Sequence, residues 1–170
     1  RNIGHFKNNN EMVKVDFLKI KSIDDLIIDN SKLLSYKKGD LNLIHTRSWR
    51  CCLKNDDKPL ILKQFDCLDE NVYSMKMHEG NLMLTNRTHP NLVNMLSTWK
   101  TESPNSFTFK VIYMVFEECI HGNFQDSVIP HLKTIKQKVL YKHICGLAKA
   151  LNYLHHNDIV HGGIRANNLL

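Results

Sequence analysis

Two segments of the sequence carry side chains whose types and spacing suit phosphate chemistry. The first is the apolar run at residues 60–63, which ends in Lys63, and the second is the segment 161–170, which contains Asn168. A lysine at the end of such a strand can hold nucleotide phosphates, and an asparagine in such a loop can bind Mg²⁺. A lysine in a strand is common, so each segment alone is a weak indication.

Local patterns predict the elements that position these residues. Residues 13–35 predict one or two short helices that lead into the domain, and strands are predicted from residue 41 to residue 65. A helix is then expected at Asp69–Asn86, followed by strands at 92–98 and 107–117 around a loop at Ser103–Ser106. Phe124–His131 predicts a short helix, and Ile135–His156 has the pattern of an amphipathic helix. This order predicts an α+β fold.

The composition is typical of a globular protein. Hydrophobic residues make up 42% and charged residues 24%, and no apolar stretch is long enough to span a bilayer. The formal net charge is +6, but the basic residues are spread along the chain, so we expect no nucleic-acid partner. Five cysteines without C-x-x-C spacing predict reduced thiols in the cytoplasm, and ten scattered histidines predict no metal site.

Four landmarks in one order resemble a protein kinase. Lys63 ends a strand like V-A-I-K, a helix ends at His89-Pro90-Asn91, and residues 112–119 look like the fifth strand and hinge with Phe116 as gatekeeper. Residues 161–170 match the frame of the catalytic loop H-R-D-L-x-x-x-N. An unrelated α+β domain is the alternative, and the shared order of the landmarks argues against it.

The resemblance implies a division of the chain and a fold. Residues 41–119 would form a small lobe, an antiparallel sheet with the αC helix. Residues 120–170 would begin a helical large lobe that is incomplete in this chain, and residues 1–40 would be a helical lead-in.

Compared with the kinase pattern, the catalytic loop departs at the position of the base. Gly163 stands where a kinase has the aspartate that orients the nucleophile, although Asn168 is retained at a Mg²⁺-ligand position. We assign Ile44–Arg50 as the counterpart of the glycine-rich phosphate loop, and this segment contains no glycine. The sequence therefore predicts a pseudokinase that is not an enzyme and has no cofactor, with at most weak binding of ATP at Lys63, Phe116 and Asn168.

Two positions compete as the partner of Lys63. Counting back from the end of the αC helix by the usual kinase spacing lands on Gly80, which has no carboxylate. Helical periodicity instead places Met75, Glu79 and Met83 on one face and predicts that Glu79 points inward. We favour a Lys63–Glu79 ion pair, and the alternative is a solvated or otherwise satisfied Lys63.

The run Leu154-His155-His156, followed by H-G-G-I-R-A-N-N at 161–168, resembles the mixed lineage kinase domain-like pseudokinases. Cellular members of that family permeabilise membranes through an N-terminal helical bundle, which has no room here, and are recruited by receptor-interacting protein kinase 3. The resemblance implies a truncated poxvirus homologue. Such a protein would bind this host kinase as a decoy in the host cytoplasm, without a membrane partner, and inhibit necroptosis. A fragment of a nucleotide-binding switch and a scaffold for another kinase are the alternatives.

For the partner-binding surface we choose Arg47, Trp49 and Arg50, because exposed Trp and Arg are frequent interface anchors. The alternative for Trp49 is ordinary packing in the core of its strand.

Overall fold

The computed structural model describes residues 20–38, 43–86, 89–102 and 110–170. Within these residues, five strands and three α-helices follow one another in an α+β order. They are β1 (Leu26–Lys38), β2 (Ile44–Leu53), β3 (Asp56–Cys67), α1 (Glu70–Thr85), β4 (Met95–Glu102), β5 (Lys110–Glu117), α2 (Phe124–Ser127) and α3 (Gln137–His156). Short 3₁₀ helices lie at Ile23–Asp25, Ile129–His131 and Ala166–Asn168.

The five strands form one antiparallel sheet in the order β1-β2-β3-β5-β4. Side chains of directly opposed residues share a face, and successive residues alternate between faces. Ser48 lies opposite Lys63 and Trp49 lies opposite Leu62. We call the face that carries Lys63 the cleft face and the face that carries Leu62 the outer face.

Each face of the sheet has its own hydrophobic cluster. On the outer face Leu60, Leu62 and Val115 are buried, with Trp49, Trp99 and Tyr113 packed around them; the residues of this cluster are Ile20, Leu26, Cys51, Leu60, Leu62, Leu96 and Val115. On the cleft face the cluster packs against α1 and contains Phe65, Cys67, Met95, Ile112, Met114 and Phe116. Burial on both faces explains why β5 is a near-continuous apolar run from Val111 to Phe116.

Helix α1 docks on the cleft face through its only buried residue, Gly80. A Cβ built on Gly80 would lie 3.1 Å from Met114 Cε, so the glycine allows the helix to approach the sheet closely. Asp69 caps the helix by accepting hydrogen bonds from the backbone N–H groups of Asn71 and Val72. Val72 and Met83 pack against the cleft-face cluster on the same side as Gly80, whereas Met75 is 70% exposed, so the predicted inward position of Met75 is wrong.

The predicted helical lead-in is wrong from Leu26 onwards, and before that residue the described part of it contains only the short 3₁₀ helix at Ile23–Asp25. Leu26–Lys38 is a strand that pairs with β2, and its first residues alternate as a strand does: Leu26 is buried and Ile27 is 53% exposed. This strand also extends the sheet to a point before the predicted boundary at residue 41. Apolar residues at close spacing suggested a helix, but β2 offers an unpaired edge for a run that contains Ile27 and Ile28. Residues 1–19 lie outside the described residues, as does the predicted loop at Ser103–Ser106.

The assignment of Ile44–Arg50 as a phosphate loop is also wrong. This segment is the first part of β2, and Lys38 pairs with His45 across the β1–β2 hairpin. The connection between the two strands falls at residues 39–43 and contains Gly39. Most of that connection lies outside the described residues.

Helix α3 packs through its C-terminal half, where Ala150 and Leu154 are buried and Tyr153 stacks on His89 with ring centroids 4.8 Å apart. In its N-terminal half the predicted apolar face is open, since Val139 and Ile144 are exposed. Within the described part of the chain, no helix combines the length and the apolar character needed to cross a membrane.

Replacement of Trp49 by Ala should lower the free energy of unfolding by roughly 2–3 kcal/mol, because a large side chain would leave the outer-face cluster. Urea unfolding followed by circular dichroism measures this. Tyr141→Ala is the control, since Tyr141 is exposed on α3, and it should change stability by less than about 0.5 kcal/mol. Equal effects of the two substitutions would contradict a core role for Trp49.

Candidate functional site

Lys63 is the central charged residue of the cleft face. Its Nζ lies 4.9 Å from the centroid of the Phe116 ring, so β3 and β5 hold the predicted lysine and gatekeeper together. The pKa of Lys63 is lowered, first by burial, which disfavours the charged form, and then by repulsion from Lys37. The charge on Glu79 opposes this effect more weakly.

Two further lysines flank this position. Lys37 of β1 lies opposite Thr46, and Thr46 lies opposite Phe65, which places Lys37 on the cleft face. Lys76 of α1 lies 5.3 Å from the centroid of the Phe65 ring. The cleft face therefore carries three lysine side chains, two of which lie over the rings of Phe116 and Phe65.

Glu79 does not pair with Lys63. Its carboxylate forms an ion pair with Lys76 three residues earlier on α1, and its side chain is 50% exposed. Among the residues that the structure describes, no carboxylate lies within ion-pair distance of Lys63 Nζ. The favoured Lys63–Glu79 pair is thus wrong in this structure, because Gly80 occupies the inward position of the helix. Counting back from the end of the αC helix by the usual kinase spacing also leads to Gly80.

Arg50 and Trp49, although adjacent, point to opposite faces. Arg50 lies opposite Ile61 on the cleft face, and its Nε donates a 2.8 Å hydrogen bond to Oε1 of Glu118, directly after β5. The Glu118 side chain is only 10% exposed. Glu118 lies in the predicted hinge but was not predicted to contact Arg50; the alternation of side chains along β2, which turns Arg50 to the face opposite Trp49, is the sequence signal for this contact.

Arg47 lies on the outer face with Trp49. Its Nη2 is 2.8 Å from Oδ2 of the buried Asp66, which also accepts a 2.7 Å hydrogen bond from Gln64 Nε2. Trp49 packs against the outer-face cluster, as the alternative interpretation of that residue expected. The chosen trio of Arg47, Trp49 and Arg50 is therefore divided between two faces and forms no single surface.

The catalytic-loop segment is held by contacts to its backbone. Asn168 Nδ2 donates a 2.8 Å hydrogen bond to Gly163 O, and Gly163 N donates to Nδ1 of His161 at 3.2 Å. Leu169 O accepts a 2.7 Å hydrogen bond from Phe124 N, which ties the loop to the start of α2. Position 163 has no side chain, and a Cβ there would meet Asn168 Nδ2 at an ordinary 3.5 Å.

The fold and this site define a protein-kinase domain, and comparison with known proteins identifies the family. Residues 37–170 match the model of the protein tyrosine and serine/threonine kinase family. The chain belongs to this family. The predicted fold class, a protein-kinase-like α+β fold with an antiparallel small-lobe sheet, is confirmed.

Several curated relatives are protein kinases. The chain is 28% identical to the probable serine/threonine-protein kinase iksA of Dictyostelium discoideum over 55% of this chain and 10% of the relative. It is 32% identical to the serine/threonine-protein kinase atg1 of the same organism, over 52% and 12%. It is 40% identical to protein kinase kin1 of Schizosaccharomyces pombe, over 34% and 6%. The chain thus spans roughly a tenth of the length of these relatives.

These relatives correct one prediction. The chain was expected not to be an enzyme, and that prediction is wrong on this comparison, because the proteins it matches are named as protein kinases. The lobe boundaries and the narrower resemblance to mixed lineage kinase domain-like proteins stay predictions.

Neighbouring glycines in the loop should differ in their tolerance of a side chain. Gly162 has φ +67°, so Gly162→Ala should lower the free energy of unfolding by about 1 kcal/mol through backbone strain. Gly163→Ala should be nearly neutral, because its Cβ meets only ordinary contacts and its φ lies outside the left-handed region. Thermal denaturation of both variants tests this, and equal losses would contradict it.

Proposed function

We propose that the cleft face of the small lobe binds the phosphates of a nucleotide weakly, with Lys63 as the main ligand. The observation that carries the proposal is a half-buried lysine without a carboxylate partner among the described residues. A desolvated cation is stabilised by a bound anion. Lys37 on the same face adds a second positive charge.

The same contacts explain why the affinity would be weak. Glu79 is engaged with Lys76, so no acidic side chain fixes the position of Lys63.

Thermal-shift measurements with ATP, with and without Mg²⁺, test the proposal. Ligand at 100 times its Kd would stabilise the chain by about 2.7 kcal/mol, so weak binding should give a small shift at millimolar ATP. Lys63→Met should abolish the shift, and Lys58→Ala, the exposed lysine at the start of β3, should retain it. No shift in the wild-type chain, or an equal shift in Lys63→Met, would refute the role of Lys63.

The pH dependence has a defined sign. The lysine binds phosphate in its charged form, and burial lowers its pKa below 10.5. Affinity for ATP should therefore be full below the pKa of Lys63 and fall as the pH rises through it, before an exposed lysine would titrate. Titration of the thermal shift towards alkaline pH measures this in the same experiment.

A second candidate function is binding of another protein kinase. Leu33 lies opposite Trp49 and Tyr36 lies opposite Arg47, which creates an exposed outer-face patch of Leu33, Tyr36 and Arg47. Tyr and Arg are frequent anchors of protein interfaces. Together with the H-G-G-I-R-A-N-N string, this patch supports the hypothesis of a viral decoy that engages receptor-interacting protein kinase 3 in the host cytoplasm and inhibits necroptosis. If the chain is instead a scaffold for a different kinase, it would bind that kinase through the same patch.

Surface plasmon resonance with purified receptor-interacting protein kinase 3 tests this candidate. Tyr36→Ala should weaken binding by more than about 1 kcal/mol if Tyr36 is an anchor. Tyr141→Ala is the matched control, because it removes an exposed tyrosine from α3 and should not change affinity. No binding by the wild-type chain would rule out this partner, and equal affinities of the two variants would rule out the patch.

A further inference from the structure

We propose that the Arg50–Glu118 ion pair closes the end of the cleft face beside the β5 terminus and excludes the base of a nucleotide while leaving the phosphate site at Lys63 open. This inference rests on the proposed nucleotide function. It makes Arg50 and Glu118 determinants of specificity, which favour a bare polyphosphate over a nucleoside.

The path of the ion pair follows from the strand order. Arg50 belongs to β2 and Glu118 follows β5, and β3 lies between these two strands. Neighbouring strands are about 4.8 Å apart, so the contact has to span about 10 Å across β3. Arg50, Ile61 and Phe116 lie opposite one another in successive strands. The Arg50 side chain therefore starts in the row of Ile61 and Phe116 and runs diagonally to Glu118, which lies two residues beyond Phe116 on the same face.

That row lies beside Lys63 on the side of the cleft face towards the end of β5. Ile61 is two residues before Lys63 on the same face of β3, and the Lys63 ammonium lies against the Phe116 ring. A flat apolar ring bound beside phosphates held by Lys63 would have to lie on this row. The ion pair occupies the same space.

Burial makes the ion pair persistent. The Glu118 side chain is 10% exposed, whereas that of Arg50 is 56% exposed, so the carboxylate lies beneath the guanidinium. Oε1 of Glu118 accepts from both Nε and Nη2 of Arg50, and such charge-assisted hydrogen bonds are stronger than neutral ones. Displacing Arg50 would leave a poorly solvated carboxylate without its cation, which opposes opening. Lys63 and Lys37 lie further along the face and take no part in the pair.

Isothermal titration of the chain with three probes tests the inference: ATP, inorganic tripolyphosphate and adenosine. The wild-type chain should bind ATP no more tightly than tripolyphosphate and should not bind adenosine. The double variant Arg50→Leu/Glu118→Gln removes the pair without leaving a buried charge. It should bind ATP at least about tenfold more tightly and gain adenosine binding, with tripolyphosphate affinity unchanged.

The outer face offers a matched control. Arg47→Leu/Asp66→Asn removes a comparable ion pair across β2 and β3 and should change none of the three affinities. Glu118→Gln alone is the milder variant if the double variant does not fold, and it should produce a smaller gain for ATP in the same direction. Circular dichroism checks folding in every case.

The outcomes separate the two proposals. Failure of tripolyphosphate and ATP to bind any variant refutes the phosphate site at Lys63, and adenosine binding to the double variant would still support the closed end of the cleft. Unchanged ATP and adenosine affinities in the folded double variant overturn this inference, as does an equal gain in the outer-face control.

Discussion

The register of β2 against β3 is the constraint on which the rest of the structure depends. It places Ser48 opposite Lys63 and Trp49 opposite Leu62. A slip of one residue would exchange the faces of a strand. It would turn either the lysine or the indole to the wrong side of the sheet. Because Leu60 and Leu62 are buried in the outer-face cluster, the register is fixed by hydrophobic burial, and the chemistry of the cleft face follows from it.

Sequence patterns predicted β3, α1, β5 and α3, because each is a long run with clear periodicity or is bounded by turn residues. Lys63 and Phe116 lie together because a single strand pairing joins β3 and β5. The strand at Leu26–Lys38 was missed because its stability comes from β2, a neighbour that its own sequence does not reveal. The Arg50–Glu118 ion pair was not predicted because the two residues are far apart in sequence and come together only when β2, β3 and β5 pair.

Gly80 shows how packing and electrostatics compete for one position. The residue that faces the sheet from the middle of α1 can either bring a carboxylate towards Lys63 or bring the helix backbone close to Met114. The chain has the second arrangement. The lysine is then balanced by an aromatic ring instead of a charge, and its pKa is lowered mainly by burial. Helical periodicity predicted that Glu79 points inward because it did not take the size of Gly80 into account. Gly80 has no side chain, so the helix approaches the sheet at this residue, and Gly80 takes the inward position instead of Glu79.

In the loop at 161–170, the backbone conformation does not depend on the side chain at residue 163. Its hydrogen bonds run from Asn168 to a backbone carbonyl and from a backbone amide to His161, and neither needs a side chain at residue 163. The loop can therefore keep its conformation, and with it the residue spacing by which the family is identified, without the aspartate at position 163. Since function resides in sites on a fold, family membership establishes the frame, and the groups that meet a ligand on the cleft face have to be established residue by residue. The charged side chains on the cleft face of this chain include Lys63, Lys37 and the Arg50–Glu118 pair.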